Sequence, residues 1–541
     1  MNRELTGQYL INQFGAGTKK WTTLEHNGVL FPPSYIPHKI PLIYNGNKME
    51  LDADTEEMAT LYAKFVETEY IKESVFRRNF WNDWKKILGK GSPIESLDNC
   101  DFTLIYEHLL KLKETKKLEK KDDSNKEDVE KYKTAMVDGK IQPVGNFRME
   151  PPGIFLGRGC NPKLGKIKNR IYPEDITINI GKGAPIPEIP DFLQGHKWGE
   201  IIHNNYVEWL ASWKDNITGK TKYVWLGAHS DLKAKSDMEK FDLARKLKKK
   251  IKIIREKNEI ELKGNDKKMK QVATALYFID KYALRVGNEK GDDDTDTVGI
   301  TSLRVEHVQL LDDNKIKLDF LGKDSVRYNR LIHVDEIIYT NIKLFMEGKE
   351  LDDQLFDLVS SGDINEYLKS YMKNLTAKVF RTYNASNLFQ KELTKITAKY
   401  QNYGDADKIN LLLDEFNKAN GKVALLCNHQ KNINKSSVKQ IDTINANIKK
   451  VKTRLRKEKK GKKDPAKIEE LKNKLKKLKA KKDMKIELKN ISLGTSKVNY
   501  IDPRITVAFL KKHDMPIDKI FPKTLQEKFK WAFDADESFR F

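Results

Sequence analysis

Five side chains of this chain have the types and settings to do chemistry together. Tyr500 lies in Ser496-Lys497-Val498-Asn499-Tyr500-Ile501-Asp502-Pro503-Arg504, behind a Gly494-Thr495-Ser496 turn signal. Arg285 follows an apolar helical run (Ala275, Leu276, Ile279, Leu284), and Arg381 stands in Val379-Phe380-Arg381-Thr382-Tyr383. Lys323 marks the tip of a hairpin pattern, and His429 follows Leu425-Leu426-Cys427-Asn428. A phenol with its usual pKa near 10 needs cationic neighbours to act as a nucleophile at neutral pH. Two guanidiniums offer permanently charged forks for the non-bridging oxygens of a phosphodiester, which gain charge in the transition state. A lysine ammonium can protonate a departing oxygen, and a histidine adds a donor without a further permanent charge. Singly, each residue has an ordinary explanation: a dipole-end arginine, a solvated turn lysine, a histidine at the edge of a core. Together they are the set that cleavage of a phosphodiester through an enzyme nucleophile requires.

Composition points to the same electrophile. The chain has 541 residues, with 101 lysines and arginines against 78 acids and a net charge of +23, which favours a polyanionic partner. A hydrophobic share of 39% beside 33% charge leaves room for a solvent-exposed rod or tail. No apolar run is long enough to span a membrane, and no signal peptide opens the chain. Cys100, Cys160 and Cys427 are too scattered for a disulfide framework or a zinc site, so a reducing compartment is expected. No His, Asp and Glu grouping has metal-ligand spacing, and Asp292-Asp293-Asp294 reads as a solvated loop. Gly219-Lys220-Thr221 ends like a phosphate-binding loop, but Lys214 stands where the first glycine is required.

The elements that must position these residues fall into four stretches. Residues 1–228 are mixed. Met58–Val66 and Val75–Ile87 have helical spacing, a charged run covers Lys111–Lys133, and Ile171-Tyr172, Ile176–Ile180 and Val207–Trp213 alternate as strands do. Between them lies Glu150-Pro151-Pro152-Gly153-Ile154-Phe155-Leu156-Gly157-Arg158-Gly159, either an ordinary tight loop or a backbone that approaches a flat partner closely, with Arg158 and Lys163 beside phosphate or a base edge. Residues 229–434 are mainly helical apart from a hairpin, Lys315–Phe320 and Ser325–Tyr328, turning through Leu321-Gly322-Lys323-Asp324. In 435–490, Ile441, Ile444, Ile448, Val451 and Leu455 and then Ile468, Leu471, Leu475 and Leu478 repeat at helical spacing around Gly461-Lys462-Lys463-Asp464-Pro465. This predicts a basic antiparallel helical hairpin. Residues 491–541 form a compact tail holding Tyr500. The predicted fold class is multidomain α+β.

Five segments taken in order resemble the catalytic segments of eukaryotic type IB DNA topoisomerases. They are Ala283–Lys290, Phe320–Ser325, Ala377–Ser386, Leu426–Gln430 and Ser496–Arg504. The resemblance extends from about Lys20-Trp21 to Phe541 and takes in Phe31-Pro32-Pro33 and the 150–159 loop. It implies a mixed α/β DNA-binding cap (1–228), a mainly α catalytic domain with a small sheet (229–434), a coiled-coil linker (435–490) and a small helical C-terminal domain (491–541). It also implies a monomeric clamp on duplex DNA. Tyr500 would form a 3′-phosphotyrosyl bond, with Arg285, Arg381 and His429 on the non-bridging oxygens and Lys323 protonating the 5′-oxygen. Strand rotation and religation would follow with neither ATP nor a metal, since ester exchange conserves the bond energy. Arg158, Asp324 and Asn499 match positions used around the cleavage site and in binding camptothecin-type inhibitors. Lys163, Asn288 and Lys290 are further expected DNA contacts.

Two departures from the family pattern stand out. Leu156 occupies a loop position where arginine is expected, which questions one DNA contact. The core motifs begin close to Met1, so the charged N-terminal extension of nuclear members, the usual place for nuclear targeting signals, is expected to be missing. The expected compartment is the nucleus, or the site of viral DNA replication. Two rivals use overlapping features: a tyrosine recombinase, with similar Arg, Lys, His and Tyr chemistry, and a non-catalytic architectural DNA-binding protein. The large N-terminal stretch and basic hairpin argue against the first, and the complete residue set against the second.

Overall fold

The structure, a computed structural model, describes residues 18–118, 129–287, 295–401, 408–431, 435–460 and 464–541. Its internal contacts divide the chain into two compact units, Met1–Ser236 with Lys290–Thr295, and Asp237–Glu289 with Asp296–Phe541. Among the described residues no helix is long and apolar enough to cross a membrane.

In the first unit the elements run β1 (Leu24–His26), β2 (Leu42–Tyr44), β3 (Asn47–Met49), α1 (Ala53–Ala63), α2 (Ser74–Leu88), β4 (Cys100–Asp101), α3 (Thr103–Leu118), β5 (Thr134–Val137), β6 (Lys140–Gly145), β7 (Gly153–Ile154), β8 (Ile167–Lys168), β9 (Ile176–Asn179), β10 (Glu200–Ile202), β11 (Trp209–Lys214) and β12 (Thr221–Leu226). A seven-stranded sheet has the order β1-β5-β6-β12-β11-β9-β10 and is antiparallel except where β10 pairs with β9. Ile176 and Ile178 bury completely from β9, while the inner strand β11 is buried along nearly its whole length. A second core forms where Phe76, Phe80 and Trp84, four residues apart on α2, make one apolar stripe against Tyr62 and Phe102.

The helical spacing of Met58–Val66 corresponds to α1, which starts earlier because Asp52 caps it through Asp54 N and Thr55 N. Val75–Ile87 lies within α2, and β9 and β11 occupy the two longer alternating stretches. Ile171-Tyr172 is not a strand. Pro173 cannot donate to a ladder, and Tyr172 N instead donates to Asp175 Oδ2 (2.9 Å) across a short 3-10 turn. Of the Lys111–Lys133 run, residues 119–128 lie outside the described residues. The 150–159 loop leaves the β7–β8 pair through Gly157 at φ 64°, where a Cβ would stand 2.6 Å from Asn161 Cβ. Leu156 packs half-buried against the α2 core, so the position where arginine was expected faces apolar neighbours.

The second unit comprises α4 (Asp231–Lys263, from Asp237 onward), α5 (Lys267–Tyr282), β13 (Val308–Leu311), β14 (Lys315–Gly322), β15 (Val326–His333), α6 (Glu336–Met346), α7 (Ser361–Lys369), α8 (Ala377–Tyr400), α9 (Lys408–Leu426), α10 (Lys435–Lys460), α11 (Pro465–Glu487), α12 (Leu493–Asn499), α13 (Pro503–Lys512) and α14 (Lys523–Lys528). One apolar core joins α5 (Leu276, Ile279), α8 (Phe380, Phe389), α9 (Phe416, Val423), α13 (Ile505, Phe509) and the β13-β14-β15 sheet (Ile316, Leu318, Phe320). The hairpin of β14 and β15 is longer than its sequence pattern suggested and pairs out to Gly322 opposite Val326. Helices α10 and α11 pack together with Lys485 Nζ donating to Gln440 Oε1 (3.0 Å), which sets them antiparallel. Ile444, Ile448 and Val451 are buried, and Leu471, Leu475 and Leu478 half-buried, while most of the lysines between them are exposed. Residues 461–463 of the expected turn lie outside the described residues.

Candidate active site

Arg285 is fixed by what ends α5. Ala283 takes a left-handed conformation (φ 51°) and caps the helix through its N–H to Phe278 O, so the chain leaves α5 sharply two residues before Arg285. Ile300 N then donates to Arg285 O (2.9 Å) and Thr301 N to Val286 O (2.8 Å). This approach requires glycine on both sides: a Cβ on Gly299 would lie 2.3 Å from Gly287 N and 2.8 Å from Arg285 O.

Arg381 is buried, in the first turns of α8. Its Nη1 donates to Ala283 O and its Nη2 to Cys427 O (2.9 Å), so one guanidinium joins the ends of α5 and α9. Carbonyls at helix C-termini carry partial negative charge and suit a cation. Its Nε is buried without a hydrogen-bond partner among the described residues.

Lys323 and Asp324 form the tip of the β14–β15 hairpin, with Asp324 and Ser325 both at positive φ (66° and 56°). Phe320 stacks on Tyr328 (5.1 Å between centroids) and Arg327 makes two 2.7 Å hydrogen bonds to the carboxylate of Asp319 on opposite faces of the sheet near this tip. Arg327 O accepts from Asn428 Nδ2 (3.4 Å) and Gln430 Nε2 (3.3 Å), tying the hairpin to the segment that carries His429. That segment in turn bridges Gln430 to Ile491, and Ser492 N donates to His429 O (2.8 Å) just ahead of α12.

Tyr500 ends α12, its N–H donating to Ser496 O (2.9 Å). Its ring packs against His429 (5.3 Å between centroids, 29° between planes) and against Arg381 (Cζ 5.2 Å from the centroid). The phenol oxygen accepts a long hydrogen bond from Arg285 Nη1 (3.4 Å). Burial alone would push this phenol up, but the charges of Arg381 and then Arg285 outweigh it and the net shift is downward. His429 is pushed down to about 3, first by burial and then by the same two guanidiniums, so it is neutral at neutral pH.

One cavity of about 130 Å³ is lined by Arg285, Lys323, Asp324, Arg381 and His429 among others. Among the described residues His429 Nε2, like Arg381 Nε, is buried with no hydrogen-bond partner. Among the described residues the recorded partners of Arg285 and Arg381 are the phenol and two backbone carbonyls, and no cluster of His, Cys, Asp and Glu could hold a metal ion. The structure therefore gathers four of the expected catalytic residues around one cavity, with Tyr500 against three of them, Arg285, Arg381 and His429. Asn499 is exposed one residue before Tyr500, with its Nδ2 donating to Thr495 O (3.2 Å). Arg158 (exposed) and Lys163 (half-buried) belong to the 150–165 segment of the first unit. Asn288 and Lys290 lie outside the described residues.

Several supports of this site were not identified as such from sequence. Ser386, fully buried on α8, donates to Tyr500 O (3.0 Å) and accepts from Asp502 N (3.0 Å). Asp502, also fully buried, caps α13 through Arg504 N and binds the Arg504 guanidinium, which reaches on to Asp242 (2.8 Å). Ser496 Oγ lies 2.7 Å from His429 Nδ1. Tyr328, buried beside Arg330, whose Cζ lies 5.1 Å from its ring centroid, is a further cavity wall. The only sequence signal for these was their presence inside the quoted motifs.

Three family models match the chain: eukaryotic DNA topoisomerase I, DNA binding fragment, over residues 19–226; eukaryotic DNA topoisomerase I, catalytic core, over 229–463; and the C-terminal topoisomerase domain over 472–541. DNA topoisomerase 1 alpha of Arabidopsis thaliana is 47% identical over 97% of this chain, and the chain spans 60% of that relative's length. DNA topoisomerase 1 of Caenorhabditis elegans is 43% identical over 96% of the chain and 67% of the relative. For DNA topoisomerase 1 of Homo sapiens the figures are 41%, 96% and 72%. With matched models covering nearly all of its length and such relatives aligned along it, the chain belongs to the eukaryotic DNA topoisomerase I family.

Proposed function

We propose that this protein relaxes supercoiled duplex DNA as a type IB topoisomerase, by transient cleavage of one strand without ATP or metal. Tyr500 Oη attacks a backbone phosphorus, its proton passing to water, and forms a 3′-phosphotyrosyl ester. Lys323 gives a proton to the 5′-oxygen as the P–O bond breaks. Arg285, Arg381 and His429 hold the two non-bridging oxygens, whose charge grows in the transition state. The cut strand turns about the intact one, and the 5′-hydroxyl then reverses the exchange. The observation that carries this reading is the pair of buried, unpartnered ring and guanidinium nitrogens, His429 Nε2 and Arg381 Nε, beside a phenol already under two guanidiniums. A buried polar group without a partner costs about 1–3 kcal/mol and marks a place built for a ligand.

The finer organisation is part of the same proposal. Residues 1–228 bind DNA, 229–434 carry the catalytic core, 435–490 form a basic coiled-coil linker, and 491–541 deliver the nucleophile. Arg158, Lys163, Asn288, Lys290, Asp324 and Asn499 contact DNA, and the enzyme works as a monomer in the nucleus. Camptothecin-type compounds would bind at the cut.

Plasmid relaxation in EDTA without ATP tests the activity, and end-labelled duplex on denaturing gels tests the chemistry. The expected result is relaxation with the protein attached to the 3′ side of the nick, and no attachment in Tyr500→Phe despite nearly unchanged DNA binding. Strand exchange between duplexes, attachment to the 5′ side, or an adduct surviving in Tyr500→Phe would overturn the assignment.

A further inference from the structure

His429 offers the cavity its Nε2, and what that atom can do depends on its other nitrogen. A neutral imidazole carries one proton, on either Nδ1 or Nε2. With the proton on Nε2, the ring donates to a phosphate oxygen. With it on Nδ1, Nε2 presents a lone pair and repels the same oxygen. Burial and the neighbouring Arg381 and Arg285 keep the ring neutral, so a doubly protonated ring that donates from both nitrogens is not accessible near neutral pH.

The partner at Nδ1 then decides. A backbone carbonyl or a carboxylate can only accept, and would hold the proton on Nδ1. Here the partner is the hydroxyl of Ser496, 2.7 Å away and fully buried. A hydroxyl can donate as well as accept, and among the described residues Ser496 Oγ has this one hydrogen bond. The backbone carbonyl of the same residue accepts from Tyr500 N (2.9 Å) and Ile501 N (3.0 Å), so Ser496 is held in place by the turn that presents the nucleophile. By themselves the two guanidiniums favour a lone pair on Nε2, and a phosphate reverses that preference. A rotatable hydroxyl can follow the reversal, which an acceptor-only group cannot.

We propose that Ser496 is a positioning residue that donates to His429 Nδ1 when a phosphate occupies the cavity and thereby sets the tautomer with the proton on Nε2. The inference rests on the phosphodiester reading of the site. It adds to that reading a proton-ordering role for a residue four positions before the nucleophile.

The first test leaves Ser496 in place. Tyr500→Phe protein labelled with ¹⁵N-histidine, bound to an unmodified duplex oligonucleotide, gives ¹⁵N shifts for His429, assigned by their loss in a second sample carrying His429→Gln. The expected pattern is a protonated Nε2 and an unprotonated Nδ1. A protonated Nδ1 in the DNA complex overturns the proposal. The second test is a double-mutant cycle on single-turnover cleavage. Ser496→Ala alone is expected to slow cleavage by up to about 100- to 1,000-fold, the range of one lost donor to the transition state. In a His429→Ala background it should cost less than about twofold, because residues acting as a unit are not additive. The same loss in both backgrounds would show that Ser496 serves Tyr500 directly and would overturn the proposal. Wild type that forms no 3′-adduct at all would instead refute the underlying reading of the site.

Discussion

Ser386→Ala removes a single oxygen and no charge, yet two buried backbone groups depend on it. Ser386 Oγ donates to Tyr500 O and accepts from Asp502 N, each at 3.0 Å, and neither Ser386 nor Asp502 is open to water. Leaving a buried backbone group without its partner costs about 1–3 kcal/mol. For the Asp502 amide that corresponds to opening about 5- to 150-fold more often, at about 1.4 kcal/mol per tenfold. Hydrogen–deuterium exchange read on peptides covering 500–504 measures this, with α8 as an internal reference. Cleavage should fall as well, because Arg381 and Ser386 share α8 and the serine holds the phenol's backbone at a fixed place beside that arginine. A displacement of about 1 Å at a reacting group is worth about 100-fold in rate. DNA affinity should barely change, as Ser386 reaches no surface. If exchange at 500–504 and single-turnover cleavage both match wild type, the serine is not a clamp on the nucleophile and the reasoning fails.

Lys323→Ala should slow cleavage of ordinary DNA by about 100- to 10,000-fold, but hardly affect a bridging 5′-phosphorothiolate, whose thiolate leaves without a proton. Equal damage on both substrates would assign Lys323 to binding. Replacing residues 436–488 by flexible linkers of several lengths should keep cleavage. It should flatten the salt dependence of DNA binding by about 0.9 in log–log slope for each phosphate that the lysines no longer neutralise. Folded variants that never cleave would place the hairpin inside the active site. His429 has a folded pKa near 3, below its ordinary 6.5. Between those values the unfolded chain binds more protons, so its contribution to stability is complete above about 6.5 and is lost as the pH falls toward 3. Thermal unfolding from pH 7 to pH 4 should therefore drop more steeply in wild type than in His429→Gln, and parallel curves would contradict the burial of a neutral ring beside two guanidiniums.

What the sequence reveals of this site follows from what each residue does. Tyr500, Arg285, Arg381, Lys323 and His429 carry reactive or charged groups inside long motifs, and the structure sets four of them on one cavity with the phenol alongside. Ser386 and Ser496 carry a plain hydroxyl whose importance comes only from what lies opposite across more than sixty intervening residues, and no local pattern encodes that. The third strand β13 escaped notice because Val308–Leu311 is short and becomes a strand only by pairing with β14. Ile171-Tyr172 looked like a strand because apolar alternation says nothing about the donor that Pro173 lacks. Leu156 is a reminder that a motif position can be filled for packing, here against the α2 core, where the pattern called for charge.

Among the described residues Arg381 holds two carbonyls at helix ends and the face of a phenol, all uncharged groups. With Arg285 also lacking a paired carboxylate among the described residues, the cavity gathers three cations, which the single carboxylate named on its wall, Asp324, offsets only in part. Occupancy and thermal endurance are then one equilibrium, since an anion that binds only the native state raises its stability in proportion to the logarithm of its concentration. On the proposed function, the DNA-free protein is the more fragile form. Simple dianions with no nucleic-acid character should act as both heat protectants and competitive inhibitors, so the buffer chosen to preserve the enzyme would also silence it.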